Sequence, residues 1–253
     1  TSAKYISSLE SFGIKPNEIS SFPKLRTILS TGSPLVEENF DFIYTHWKKD
    51  IQLASISGGT DIISCFALGN PILPVVRGEL QCRGLGMKVE AYNELGESEI
   101  NSKGELVCTQ AFPSMPIYFW NDSNGKKYHT AYFNTYLDIW HHGDYIEIND
   151  CGGVKIYGRS DTTLNPGGVR IGTAEIYQTV ERFSEVEDSL AIGQPWGNDE
   201  RIILFLKMKD QSVLSEELIK QIKKYIWELC SPRHVPAKII AVADIPYTIN
   251  GKK

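Results

Sequence analysis

Between residues 158 and 176 the chain reads Gly158-Arg159-Ser160-Asp161-Thr162-Thr163-Leu164-Asn165-Pro166-Gly167-Gly168-Val169-Arg170-Ile171-Gly172-Thr173-Ala174-Glu175-Ile176. Two arginines and an acid stand here among close-set glycines, just before a helical pattern. Arginine presents a rigid fork to phosphate, and glycine lets a backbone approach a ligand closely. The run also divides the chain, because the patterning before it and after it differ.

Before the run, helix-like and strand-like segments alternate. Residues 3–12 read as a helix ended by Gly13 and Pro16. Leu25–Leu29 reads as a short buried strand, Leu35–Trp47 as a helix with Phe40, Ile43 and Trp47 at helical spacing, and Ile51–Ile56 as another strand. This β-α-β rhythm predicts a mixed sheet covered by helices. From about residue 72 the period changes. Met87–Tyr92 and Gly104–Thr109 alternate around a turn at 93–96, and Tyr145–Ile148 and Val154–Tyr157 flank the hairpin signal Asn149–Gly153. These predict a small antiparallel β-subdomain over about 72–160.

After Arg159 a smaller unit begins. Gly172–Phe183 reads as a helix with Ile176, Val180 and Phe183 on one face. Ser189–Gly193 and Arg201–Met208 read as strands. Ser215 caps a helix running to about Leu229 that buries Leu218, Ile222, Tyr225, Ile226 and Leu229. Ala237–Ala243 is a last strand. The fold class expected is therefore α/β plus α+β, with residues 1–160 in the larger body and 161–253 in a small module.

Composition narrows the partners. The formal charge of −5 gives no electrostatic reason to expect nucleic acid or an anionic membrane, so any anionic ligand must be met by local basic groups. Five cysteines, odd in number and without a CxxC pair, indicate neither a zinc site nor a disulfide framework, and a reducing cytosol is the simplest setting. Asn121-Asp122-Ser123 is formally a glycosylation sequon, with nothing else pointing to secretion. No run is apolar and long enough to span a membrane, and no signal peptide is present. Oligomeric state is not legible. The chain opens on Thr1-Ser2-Ala3-Lys4 without an initiator Met and stops in mid-turn at Gly251-Lys252-Lys253. Both ends read as cuts in a longer protein, against the alternative of a processed natural one.

Several short motifs carry possible chemistry. Ser55-Ile56-Ser57-Gly58-Gly59-Thr60-Asp61 follows an expected strand, and loops at strand C-termini are where open α/β sheets bind ligands. Its glycines expose amides, Thr60 offers a hydroxyl, and Asp61 supplies hard oxygens for Mg²⁺. An ordinary polar turn remains the other reading. Gly32-Ser33-Pro34 makes a second strand exit, which alone favours a structural turn. The neighbouring His141 and His142 point to opposite faces of an extended chain and so do not form a metal pair. Asp144 can accept from both hydroxyls of a ribose, or serve as a turn acid. Pro246–Lys253 departs from the Walker pattern at both ends, Gly84-Leu85-Gly86 lacks the third glycine of a dinucleotide fingerprint, and no Gly-x-Ser-x-Gly elbow occurs.

Taken in order, the Gly32 turn, the Gly59-Thr60-Asp61 loop, His142-Gly143-Asp144, the 158–176 run and the closing Pro-x-x-x-x-Gly-Lys turn resemble the adenylate-forming superfamily. Within it the acetyl-CoA synthetase branch matches best, and there the members that activate acetoacetate. The resemblance spans the whole chain but only the C-terminal part of such an enzyme. It implies a two-step ligation. A carboxylic acid and ATP give an acyl-adenylate and pyrophosphate, then coenzyme A takes the acyl group and AMP leaves.

The resemblance also implies roles. Gly32, Ser33 and Pro34 would line the adenine site, and Ser55, Ile56, Ser57, Gly58, Gly59 and Thr60 would hug adenine and the α-phosphate. Asp61 stands where the family has a Glu that helps hold Mg²⁺, one methylene shorter. Asp144 and Arg159 would meet the ribose, and Arg170 the phosphates. Lys252 would be the catalytic lysine of adenylation, stabilising transition-state charge. Gly167 and Lys223 would face coenzyme A. Asp161 would be the hinge about which a mobile small domain rotates between half-reactions. At Gly58 acetate-specific relatives have a Trp that floors a small acyl pocket, so glycine there implies a longer acid such as acetoacetate.

The family's Ser/Thr/Gly-rich phosphate loop has no counterpart in these residues. The chain taken alone is therefore expected not to adenylate. Two competing readings remain, a ligase for another short or medium-chain acid and a non-catalytic nucleotide-binding or regulatory module.

Overall fold

A computed structural model describes residues 1–169, 171–197 and 199–247. The chain divides into two compact units, Thr1–Ile156 and the residues from Tyr157 onward.

The first unit opens with α1 (Ala3–Ser11), whose cap is Ser2, its side chain accepting from the N–H of Tyr5. After α2 (Pro16–Ile19) come β1 (Thr27–Ser30), α3 (Glu37–His46) and β2 (Gln52–Ser55). β1 and β2 pair in parallel with Ser30 opposite Ser55, and α3 is the crossover. Ile28, Phe40, Ile43 and Leu53 pack with Ile6 into one core. Leu29, expected in a buried strand, is half exposed because it alternates away from that core.

β3 (Ser57–Gly59), β4 (Ser64–Leu68) and β5 (Cys82–Arg83) form an antiparallel sheet that the sequence reading leaves as loop. β6 (Val89–Tyr92), β7 (Ser98–Glu99), β8 (Lys103–Cys108), the short α4 (Lys126–Tyr132), β9 (Trp140–Ile148) and β10 (Val154–Arg159) follow. The larger antiparallel sheet runs in the order β10-β9-β8-β6-β7, as the alternation over 87–109 and 145–157 predicts. Phe66, Leu106, Trp140 and Ile146, all nearly or fully buried, centre its core.

The second unit continues with α5 (Thr173–Val180), β11 (Val186–Trp196), β12 (Asp199–Met208), α6 (Glu216–Leu229) and β13 (Lys238–Val242). β11 and β12 form a long antiparallel hairpin, and β13 joins β12 in parallel. Ser215 caps α6 by accepting from the N–H of Leu218, as expected. Ile176, Val180, Leu204, Leu206, Ile222 and Ile226 form the core. Tyr225 and Leu229, expected to be buried with them, are 40% and 50% exposed. Leu218, Ile222 and Ile226 alone fill the narrower stripe that α6 turns inward. Among the described residues no helix is long and apolar enough to cross a membrane.

Candidate functional site

The parallel pairing of β1 and β2 brings two of the motifs side by side. Ser30 C=O accepts from the N–H of Ile56 at 2.9 Å, so the Gly32-Ser33-Pro34 turn and the Ile56–Gly59 segment leave the sheet next to each other. Ser55 is buried at that exit, whereas Gly32, Ser33, Thr60 and Asp61 lie at the surface.

Glycine at 58 and 59 is required by close approach. A Cβ on Gly58 would stand 2.1 Å from the carbonyl oxygen of Ser64 and 2.7 Å from Cys65 Cα, on the facing strand β4. A Cβ on Gly59 would meet Asp61 Oδ1 at 1.9 Å and His142 Cε1 at 3.2 Å. The two positions therefore differ. Gly58 lets β3 and β4 pair, while Gly59 leaves room for Asp61 and His142. Enlarging Gly58 to Trp would force the β3–β4 backbone apart, so that substitution does not isolate the volume of an acyl pocket.

β9 delivers the third motif through a bulge. Glu105 pairs with Tyr145 and Val107 with His141, so His142, Gly143 and Asp144 together oppose Leu106. Extra residues in one strand bend it and re-aim its side chains. His141 and His142 do face opposite ways. His141 Nε2 lies 3.0 Å from Glu105 Oε2, while His142 sits edge-on to Phe66 with ring centroids 4.7 Å apart. His142 Nε2 is 3.9 Å from Asp144 Oδ2. Asp144 is only 9% exposed.

Asp61 has a partner that the sequence reading does not anticipate. Tyr132, on α4, donates from its hydroxyl to Asp61 Oδ2 at 2.5 Å. The Tyr132 ring lies flat on Trp140, with centroids 3.6 Å apart and planes 13° from parallel. Phe66, Phe112, Tyr128 and Phe133 pack around the same indole. The only sequence sign of this arrangement is the aromatic density between Phe112 and Trp140.

Mg²⁺ usually keeps several waters and takes one or two carboxylates together with substrate phosphates. A single exposed carboxylate beside a glycine-rich strand exit fits that habit. Among the described residues there is no cluster of three or more His, Cys, Asp or Glu that would make a full protein cage.

In the second unit, Arg159 ends β10 and its C=O accepts from the Thr162 hydroxyl at 3.0 Å. Asp161 falls in the following one-turn helix, Ser160–Thr162, just past the division between the units. Gly167 lies in the turn Pro166–Gly168, at the rim of a shallow cavity of about 310 Å³ lined also by Arg201, Ile202, Arg233, Val235 and Ala237. Lys223, on α6, donates from Nζ to the C=O of Ala237, a residue of that lining, at 3.3 Å. Arg233, from the Pro-bounded segment Ser231–Pro236, is a neighbour of Gly167 that the sequence reading passes over. Arg170 and Lys252 lie outside the described residues.

Tyr247 is the last described residue. Its hydroxyl hydrogen-bonds Asp188 Oδ2 on β11, and Ile245 beside it is buried. Burial first, and then the Asp188 carboxylate, push the Tyr247 phenol well above its ordinary range. All five cysteines are free thiols, and burial pushes the thiols of Cys65 and Cys108 up.

No family model matches the chain. Individual relatives do. It is 56% identical over 252 residues to the acetoacetyl-coenzyme A synthetase of Rhizobium meliloti (strain 1021), covering all of this chain and 39% of that protein. It is 52% identical over 255 residues to the acetoacetyl-CoA synthetase of Xenopus tropicalis, covering all of this chain and 38% of that protein. The solved structure of acetoacetyl-CoA synthetase from Streptomyces lividans superposes with a TM-score of 0.92 at 41% identity, covering 100% of this chain and 39% of that one. The chain thus spans about two-fifths of the length of the relatives it matches.

Proposed function

Because the chain belongs to the adenylate-forming acyl-CoA synthetase family, we propose that it is the part of an AMP-forming acid–thiol ligase that handles nucleotide and coenzyme A, with acetoacetate as the acid. One observation carries the reading. In a chain this close to acetoacetyl-CoA synthetases, the Gly32 turn, the Ser55–Asp61 loop and the bulge bearing Asp144 converge in the first unit, each at a strand exit or a strand irregularity.

The chemistry is a pair of displacements. The acid's carboxylate oxygen attacks the α-phosphorus of ATP, the bond to the β-phosphate oxygen breaks and pyrophosphate leaves. The thiolate of coenzyme A then attacks the acyl carbonyl, a C–S bond forms and the C–O bond to AMP breaks. Activation is needed because a carboxylate is a poor electrophile.

The residues divide this work. Gly32, Ser33 and Pro34 border the adenine, and the amides of Ser57–Thr60 with the Thr60 hydroxyl meet the α-phosphate. Asp144, fixed by the bulge, accepts from ribose hydroxyls. Asp61 would hold Mg²⁺, which when bound neutralises phosphate charge, and Tyr132 aims that carboxylate. Arg159 serves the ribose, Arg170 the phosphates and Lys252 the adenylation transition state, while Gly167 and Lys223 serve coenzyme A. Asp161 is the pivot between residues 1–160, the end of a large domain, and 161–253, a small mobile one. A cytoplasmic setting fits the five free thiols.

Acetoacetate, rather than a shorter acid, rests on the relatives. The test is a product assay on the full-length protein with acetoacetate, acetate, propionate and a medium-chain acid, each with ATP, Mg²⁺ and coenzyme A. The expected outcome is AMP, pyrophosphate and acyl-CoA, with the highest kcat/KM for acetoacetate. Release of ADP, or an equal preference across the panel, would refute the corresponding part of the reading.

A further inference from the structure

The turn that carries Gly167 is gripped from two sides. Its backbone N–H is directed at both oxygens of the Asp199 carboxylate, at 2.9 and 3.1 Å. Its C=O accepts from Arg233 Nη1 at 3.0 Å. Two residues earlier, the N–H of Asn165 donates to Glu200 Oε1 at 2.7 Å. Asp199 and Glu200 begin β12 at the tip of the long hairpin, and Arg233 comes from the one-turn helix Pro232–His234 between α6 and β13. Two segments distant in sequence therefore close on the Gly167 turn.

Gly167 itself has φ +62°, in the left-handed region that glycine enters without steric cost. A Cβ there would stand 3.3 Å from Arg233 Nη1, so a side chain would press on the arginine that holds the turn. The N–H groups of Glu200 and Gly167, with Arg233 nearby, lower the pKa of the Asp199 carboxyl.

What the clamp does is local. Charged hydrogen bonds at an exposed site contribute little to folding. Their effect here is geometric, because they fix the direction in which the peptides on either side of Gly167 point. That peptide pair borders the cavity shared with Arg201, Ile202 and Val235.

We propose that Asp199 and Arg233 are positioning residues for the second half-reaction, holding the Gly167 turn in the one conformation that receives coenzyme A. The proposal rests on the reading of Gly167 as a coenzyme A contact. It assigns no role in adenylation to either side chain.

The experiment uses the full-length protein and its Asp199→Ala, Arg233→Ala and Arg233→Lys variants. Acid-dependent exchange of labelled pyrophosphate into ATP measures adenylation without coenzyme A. Single-turnover transfer of the enzyme-bound acyl group to coenzyme A measures the second step. Both alanine variants are expected to keep exchange within twofold of wild type and to slow acyl transfer at least tenfold. Arg233→Lys is expected to recover part of that loss, and hydrogen exchange at the Gly167 amide to speed up in Asp199→Ala. Wild-type transfer rates in both alanine variants would overturn the proposal. So would an equal fall of both half-reactions with a lowered Tm, which marks a merely structural role. If the wild-type protein exchanges pyrophosphate but transfers nothing to coenzyme A, the underlying reading fails and the proposal with it. Faster exchange at Gly167 in the variant would then show that the clamp exists but serves another purpose.

Discussion

Asp144 and Asp61 in the first unit are placed by a hydrophobic core, whereas Gly167 in the second is placed by charged side chains at the surface. The bulge that presents Asp144 lies in the strand that carries Trp140, and Asp61 is reached by a tyrosine stacked on that same indole. Gly167 depends instead on Asp199 and Arg233, neither of which belongs to a core. A site built into a core cannot be loosened without loosening the fold. A site held by surface charges can be altered while the fold stands. This difference orders the predictions.

The largest effect belongs to Trp140→Ala. Removing this buried indole should cost unit one about 3–5 kcal/mol, as large-to-small core substitutions do. Denaturant unfolding followed by circular dichroism measures it. A loss below about 1 kcal/mol would show that the core does not set the site.

Tyr132→Phe is subtler, because the ring keeps its stack on Trp140 and loses the hydrogen bond to Asp61. A stability loss of about 1 kcal/mol is expected. The Mg²⁺ concentration needed for half-maximal pyrophosphate exchange should rise several-fold. An unchanged Mg²⁺ requirement would detach Tyr132 from the function of Asp61.

Tyr247→Phe probes the second unit through pH. The folded-state pKa of Tyr247 is raised, so the native protein retains this proton after the unfolded chain begins to lose it near pH ~10. The stability linked to it is fully present below about pH 10 and is lost as pH climbs toward the folded value. Thermal melts between about pH 9 and 11 should fall for wild type and flatten for the phenylalanine variant. Parallel slopes would contradict the assignment.

Smallest in stability are Asp199→Ala and Arg233→Ala, expected to leave unfolding close to wild type. A shift of the size expected for Trp140→Ala would erase the contrast between the two units.

Legibility in the sequence follows the same division. Local patterns were readable wherever local physics decides the outcome. The Phe40–Ile43 stripe predicts α3, Ser215 predicts the cap of α6, and adjacent histidines on extended chain do face opposite ways. The β3–β4 hairpin was hidden because two consecutive glycines argue against a strand, and only the facing backbone at Ser64 and Cys65 reveals their purpose. Helix α4 is too short to show a period, although Tyr128 and Tyr132, four residues apart, both pack on Trp140. It starts where the Asp122 carboxylate accepts from the N–H groups of Lys127 and Tyr128. Asp144 and Gly167 stand in short motifs visible in the sequence, but Tyr132, Asp199 and Arg233 reach their partners from 71, 32 and 66 residues away. No local period encodes such meetings.

We propose that the first unit's strand-exit site handles the nucleotide, with Asp144 on the ribose. Acid-dependent exchange of labelled pyrophosphate into ATP by the full-length protein, wild type against Asp144→Ala, tests it most directly. The account predicts robust exchange with acetoacetate in the wild type and a loss of at least a hundredfold in the variant, with no change in Tm beyond a few degrees. Exchange by Asp144→Ala at the wild-type rate would contradict it.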